Sequence, residues 1–248
     1  MYDDVYWEFH DELTWRLIKP HLPRDLSARC LDLGCGTGKW GLRLLKTGWS
    51  VTFVDQSAAM IEQTRRNSEA LGLKSQRAEL VCADMLDLSS LGEGGFSLIL
   101  AMGDPLSICG DAQRAVRQMN RVCAAGGIVI ATADNKLAAL DHLAQAGDLE
   151  GLQRLVHTGK TNWLTGDRNE QFELTTMTPS ELGKIFARVG FEVLDITGKT
   201  ILPLRKNPGL LQKPEAMQQL LRLEAELAKD PAAAGRAAHL QITARKNG

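Results

Sequence analysis

From Ala28 to Thr132 the chain alternates short apolar runs with amphipathic stretches, and this alternation constrains the fold more than any other feature of the sequence. The runs are 29–33 (RCLDL), 51–54 (VTFV), 79–82 (ELVC), 96–101 (FSLILA) and 127–132 (GIVIAT). Each is too short for a helix and rich in bulky or β-branched residues, so each reads as a buried strand. Helical patterns fit between them at 38–47, 57–71 and 112–123, with a short turn near 87–91. Regular succession of strand and helix is the pattern of parallel βαβ units, which predicts an α/β sheet flanked by helices.

Beyond residue 133 the alternation stops. Residues 136–178 hold helical stretches at 137–146 and 149–157 and two strand-like pieces around Trp163 and Phe172. They read as a cap inserted at the ligand-binding edge of the sheet. Thr178-Pro179-Ser180-Glu181 signals the start of a helix over 179–189, ended by Gly190. Strand candidates at 191–202 and 238–245 enclose a helix at 214–229. At the other end, Val5, Phe9, Leu13 and Leu17 place an apolar stripe on a helix over 5–19, stopped by Pro20 and Pro23. The expected organisation is an N-terminal helical lid over 1–27 and one domain over 28–248, with the cap and substrate insertion at about 136–178.

The chemistry concentrates in Leu31-Asp32-Leu33-Gly34-Cys35-Gly36-Thr37-Gly38-Lys39-Trp40-Gly41. Glycines at a strand-to-helix turn let a ligand approach backbone that side chains would cover. Gly36, Gly38 and Gly41 formally match the dinucleotide pattern GxGxxG. Two features oppose that reading: Asp32 sits late in the strand where the dinucleotide pattern is usually apolar, and the glycine turn begins one step early, at Gly34. A second acid, Asp55, closes the second strand about 20 residues after Gly34, where a carboxylate can accept both ribose hydroxyls. A third, Asp84, stands just past the third strand in Val81-Cys82-Ala83-Asp84-Met85, and the fourth strand ends in Ala101-Met102-Gly103-Asp104-Pro105.

With Asp32, Gly34, Gly36 and Gly38 in the spacing [D/E]xGxGxG, the chain resembles the class I S-adenosylmethionine-dependent methyltransferase family over about residues 28–133. Ala124-Ala125-Gly126-Gly127 stands where the family commonly has Pro-Gly-Gly, a departure in a turn rather than in the chemistry. The resemblance implies a Rossmann-like α/β fold: a seven-stranded, mostly parallel sheet with helices on both faces and a cap insertion. It implies S-adenosyl-L-methionine as cofactor. Asp32 would serve the ammonium of its amino-acid tail, with Gly34, Cys35, Gly36 and Gly38 as bare backbone around it. Asp55 would hold the ribose, Gln56 and Met60 would flank the adenine, and Asp84 with the Met85 backbone would meet the adenine amine. Ala101 would lie where methyl group and acceptor meet.

Methyl transfer is a displacement on a carbon already activated by the sulfonium, so positioning and desolvation can supply much of the acceleration. Asp104 is the best-placed candidate to orient or deprotonate an acceptor, against the plainer reading of a turn carboxylate before Pro105. His10, from the leading helix, is the second catalytic candidate, and His142 and His157 are further candidates from the insertion. Tyr2, Tyr6, Trp7, Phe9 and Trp15 crowd the first fifteen positions. They suit a lid of rings over the acceptor or a helix packed by its aromatic side chains. Tyr6, Trp7 and Trp163 are the substrate-contact candidates, and Arg168 belongs to the same insertion.

A net charge of −1 does not favour a polyanion partner, although a local basic strip such as Lys199, Arg205, Lys206 and Lys213 escapes that count. No apolar run approaches the ~20 residues of a membrane span, and the start MYDDVYWEFHDE is unlike a signal peptide. Five cysteines without a CxxC pair read as reduced thiols in a cytoplasmic protein, with no metal site expected. The favoured expectation is methylation of a small-molecule acceptor. One alternative is wobble-uridine methylation of tRNA, because about the last fifty residues resemble the end of the bacterial tRNA carboxymethoxyuridine methyltransferases. Another is a cyclase or lyase that consumes S-adenosylmethionine and releases methylthioadenosine. The third is a cofactor-binding regulator without turnover.

Overall fold

The computed structural model describes residues 5–73, 75–162, 172–206 and 208–248. In chain order, α1 (Val5–Ile18) leads to β1 (Arg29–Leu33), α2 (Lys39–Lys46), β2 (Ser50–Asp55), α3 (Ala58–Ala70), β3 (Ala78–Cys82) and β4 (Phe96–Ala101). The single turn α4 (Pro105–Ile108) and α5 (Ala112–Val122) precede β5 (Cys123–Asp134), α6 (Lys136–Ala146) and α7 (Leu149–Thr158). Then come β6 (Lys160–Asn162), β7 (Glu173–Thr175), α8 (Pro179–Arg188), β8 (Phe191–Lys199), α9 (Pro214–Leu227), α10 (Pro231–Ala234) and β9 (His239–Lys246).

Seven strands form one sheet in the order β3-β2-β1-β4-β5-β9-β8. β1 pairs in parallel with both β2 and β4, β2 with β3, and β4 with β5. The expected α/β fold with a mostly parallel, seven-stranded sheet is therefore present. Successive strands step outward from β1 in one direction and then restart on its other side at β4. In such sheets ligands bind beyond the carboxyl ends of the strands at that reversal. This order brings the Asp32–Gly38 turn and the Ala101–Pro105 segment to neighbouring strand ends.

The helices begin where short polar side chains satisfy orphan backbone donors. Ser57 caps α3 by accepting from the Met60 N–H, Asp111 caps α5 through the Arg114 N–H, and Asp148 caps α7 through the Gly151 N–H. At α8, Thr178 Oγ1 accepts from the Glu181 N–H while Glu181 accepts from the Thr178 N–H, a reciprocal capping box.

Several boundaries differ from expectation, each for a local reason. β5 starts at Cys123 rather than 127, because the ladder with β4 shifts register between Phe96 and Leu98 and absorbs Ala124–Gly127 as an irregularity with Gly126 at φ 72°. β8 ends at Lys199 rather than 202, because Thr200 turns into the left-handed region at φ 57°. Around 87–91 the chain forms turns, as expected. Phe172 precedes β7, which pairs antiparallel with β6, whereas Trp163 and Arg168 lie outside the described residues.

The chain divides into two compact units. One comprises 23–133, 182–195 and 242–248; α2 packs there on β1 and β2, and α3 on β2 and β3. The other comprises the described residues of 1–22, 134–181 and 196–241. Its core joins Tyr6, Phe9 and Leu13 of α1 to Leu204, Leu211 and Leu221, with a smaller cluster of Ala139, Leu143 and Leu155 between α6 and α7. Thus α1 shares a core with the 196–241 segment, a grouping not visible in the expected 1–27 boundary.

Candidate active site

The turn after β1 is held by backbone. The Gly34 and Cys35 N–H groups both donate to the Val54 carbonyl, at 2.8 and 3.0 Å, and the Gly38 N–H donates to the Cys35 carbonyl. From α3, Thr64 Oγ1 donates to the Gly36 carbonyl at 2.9 Å and Asn67 Nδ2 to the Thr37 carbonyl at 2.9 Å. Gly34 adopts φ 68°, and a Cβ on it would come within 3.1 Å of Pro105 Cβ. The bare glycine face and the proline that follows β4 therefore approach each other at the sheet reversal.

Beside them lies a cavity of about 230 Å³ lined by Gly34, Asp55, Gln56, Ala83, Asp84, Met85, Gly103, Pro105, Ile108 and Cys109. Residues from four successive strand ends thus share one space. Asp55 enters it already oriented: Oδ2 accepts from the Gly36 N–H and Oδ1 from the Ser57 N–H, each at 2.9 Å. A carboxylate has about four acceptor positions, so each oxygen retains one for a hydroxyl of a ligand. Asp84 is exposed at the cavity wall, with Oδ1 accepting from the Leu86 N–H at 2.8 Å.

Other expected residues stand behind this lining. Asp32 is 1% exposed and its Oδ2 accepts from the Gly41 N–H at 2.8 Å, tying β1 to the first turn of α2. Burial pushes its carboxyl up to about 7; the Asp55 charge adds to the rise and the Gly41 N–H opposes it. Its place is beneath the glycine turn, because the β-strand alternation that puts Leu31 and Leu33 on one face turns Asp32 toward α2. Cys35 is buried with Sγ 3.8 Å from Thr64 Oγ1, and burial raises its thiol far above the usual range. Gly36 shapes the turn through Asp55, and Gly38 (φ 82°) precedes α2 with Thr64 packed where a Cβ would go. Met60 is exposed on α3, and Ala101 is buried in β4 opposite Ala131.

Asp104 follows Gly103 at the cavity rim in a left-handed conformation, φ 59° and ψ 37°. That geometry costs a non-glycine residue roughly 1–2 kcal/mol. Its N–H donates to Thr132 Oγ1 at 2.8 Å, and its side chain makes no capping bond to α4. Helix capping does not account for it.

The remaining candidates belong to the other unit. His10 lies on α1, edge-on to the Trp7 ring at 5.4 Å and to the His239 ring at 5.7 Å. Tyr6 is buried and bonds Thr200, and burial raises its phenol while Arg205 opposes the rise. Trp7 is half-buried and Trp163 lies outside the described residues. Ala83, Ile108 and Cys109 were missed. Ile108 and Cys109 arrive through α4, a single turn too short to show periodicity; Ala83 was within the quoted motif but carries no polar signal.

Residues 30–127 match the methyltransferase domain family. Across the chain, a tRNA 5-carboxymethoxyuridine methyltransferase of Escherichia coli is 24% identical over 244 residues, covering 98% of this chain and 87% of that protein. Residues 30–127 carry a methyltransferase domain. A SAM-dependent methyltransferase from Methanosarcina mazei superposes with a TM-score of 0.67 at 19% identity, covering 93% of this chain and 97% of that one. The [4+2]-cyclase SpnF superposes with a TM-score of 0.60 at 24% identity, covering 96% and 80%. The similarity to the tRNA enzyme extends over nearly the full length, and so corrects its restriction to the last fifty residues. S-adenosylmethionine is the cofactor of this methyltransferase domain, and a bare glycine turn beside two oriented carboxylates is chemistry that fits it. No helix among the described residues is long and apolar enough to cross a membrane.

Proposed function

We propose that the chain methylates a carboxylate carried by an RNA nucleoside, at the expense of S-adenosylmethionine. The observation that carries the acceptor is the similarity, collinear over 98% of the chain, to a protein that acts on 5-carboxymethoxyuridine in tRNA. In the cavity, Asp55 would accept the ribose hydroxyls, and Gln56, Asp84 and Met85 would face the adenine, with Gly34 giving the ligand close approach. Asp32 would act indirectly, by fixing the turn through Gly41. S-adenosylmethionine supplies a methyl carbon on a sulfonium: the S–C bond breaks with its electron pair kept by sulfur, and the new O–C bond forms from a carboxylate lone pair.

A carboxylate acceptor is already deprotonated at neutral pH, so no general base is required. Asp104, at the rim, is then an orienting group, kept in its left-handed conformation by its surroundings, among them the Thr132 hydroxyl that accepts from its N–H. Joining a cation to an anion to give neutral products favours a site that excludes water. A small-molecule acceptor is the second reading, favoured by the net charge of −1.

Incubation with S-adenosylmethionine and tRNA bearing 5-carboxymethoxyuridine, followed by mass spectrometry, tests both partners. The expected products are a nucleoside methyl ester and S-adenosylhomocysteine. Methylthioadenosine as co-product would replace methyl transfer by cyclisation or elimination. Turnover of small carboxylic acids with none of the RNA would establish the second reading.

A further inference from the structure

The glycine turn borders a second depression besides the cavity. A groove of about 560 Å³ runs between α2 and α3, with Thr37, Lys39, Arg43 and Lys46 on one wall. Asn67, Ala70 and Leu71, from the end of α3, form the other. All of these residues belong to the same compact unit as the cavity. Among the described residues that line the groove, three are cations and none is an acid. The whole chain carries a net charge of −1, so this concentration of positive charge is local.

The pattern of α2 produces this row. Trp40, Leu44 and Leu45 are buried, which leaves Lys39, Arg43 and Lys46, four and three residues apart, on one side of the helix. At 1.5 Å of rise per residue they succeed one another every roughly 4–6 Å along the axis. Lys39 and Lys46 are exposed and Arg43 is half-buried. Lys39 opens the helix, at the end where the helix dipole disfavours a cation. The cations of α3 are disposed differently. Arg65 pairs with Glu62 and Glu69, and Arg66 with Glu62, so its outer face is balanced. Its groove side adds no charge, and Asn67 is committed to the Thr37 carbonyl at 2.9 Å, tying the two walls together. The groove therefore keeps its shape before any partner arrives.

We propose that the groove between α2 and α3 binds the sugar–phosphate backbone of the acceptor RNA through Lys39, Arg43 and Lys46. This rests on the RNA reading above. A row of cations at regular intervals matches a strand that carries one charge per nucleotide. Leu71, 45% exposed at the opposite wall, offers an apolar surface to the sugars. A recessed groove admits a strand, whereas the plane of an anionic bilayer meets convex surfaces. Phosphate contacts position a nucleic acid without reading its bases, which leaves the choice of nucleoside to the site of chemistry. The same turn serves both places: Gly34 lines the cavity, and Thr37 and Lys39 line the groove.

The test compares two double variants that remove the same charge. One is Arg43→Gln with Lys46→Gln, in the groove; the other is Arg65→Gln with Arg66→Gln, on the outer face of α3. Affinity for tRNA is measured over a salt series, with thermal unfolding as the check on folding. The groove variant should bind tRNA about tenfold more weakly at low salt, with a plot of log affinity against log salt flatter by roughly 1–2. The outer-face variant should stay near wild type, and Lys39→Gln alone should flatten the slope by somewhat less than 1. Equal losses in the two double variants overturn the proposal in favour of bulk charge, and wild-type affinity in the groove variant overturns it outright. Wild-type tRNA binding combined with lost binding to phosphatidylserine vesicles overturns it in favour of a lipid surface. Groove-dependent binding of tRNA without formation of a methyl ester supports the groove and overturns the acceptor reading, so the two failures are distinguishable.

Discussion

The two compact units present their chemistry in different materials. Around the cavity of the first, main chain leads: the glycine turn is bare, and Asp55 is aimed by two amide donors. In the second, side chains lead: Arg205 rests on Tyr6 and Trp7, which come from a distant part of the sequence. A ligand common to a large family can be met by backbone geometry that survives wide sequence change. A cluster of packed side chains can be exchanged without rebuilding the sheet.

The sharpest way to break this contrast is to show that a side chain governs the first unit. Asp32 has a folded-state value of about 7 against an ordinary 3.8. Stability tied to its protonated form is complete below the ordinary value and declines as pH rises toward 7, by up to about 4 kcal/mol. Asp32→Asn keeps an acceptor for the Gly41 N–H and cannot ionise. Chemical denaturation between pH 4 and 8 should give a wild-type curve that falls relative to the variant's; parallel curves would refute the buried-acid account.

Glu224→Ala addresses the second unit. It strands the Ile201 and Leu202 donors and should cost about 2–3 kcal/mol of unfolding free energy. Calorimetry should still find wild-type affinity for S-adenosylmethionine, and a large cofactor defect would erase the division of labour. Asp55→Ala is the counterpart, weakening S-adenosylmethionine by roughly 1–3 kcal/mol through loss of a charged acceptor. Its apparent KM for RNA at saturating cofactor should hold; wild-type cofactor affinity would remove Asp55 from the ribose.

The smallest effect belongs to Asp104. Replacement by Gly relieves the left-handed conformation and should raise stability by about 1 kcal/mol while slowing turnover. Slower turnover without stabilisation would mean that the left-handed conformation costs Asp104 little in its surroundings. An unchanged rate would leave Asp104 a turn residue only.

Much of the cavity was legible because strand ends fall at fixed intervals along the chain. Gly34, Asp55, Gln56, Asp84 and Met85 were all named from spacing and family resemblance, and all line one cavity. Asp32 was named for the ligand, yet a period-two strand turns it toward α2, an outcome spacing alone does not reveal. The β5 start escaped because a bulge hides within Ala124–Gly127, and the end of β8 escaped because Thr200 has no compositional mark of its φ. The Arg205 cluster had no local signature: Arg205 was counted only in a basic strip, and Tyr6 and Trp7 only as rings near one end. Long-range packing by α1 joins them.

Gly41 carries a separate consequence. A methyl group there would fall 2.3 Å from Phe53 Cε1 and 2.7 Å from Asp32 Oδ2. The third glycine of the dinucleotide-like signature is thus demanded by how tightly the first crossover helix seats on its strands, whatever molecule binds beyond them. Pattern searches that reward this position count a tolerance for interlayer spacing as though it were a preference for nucleotide.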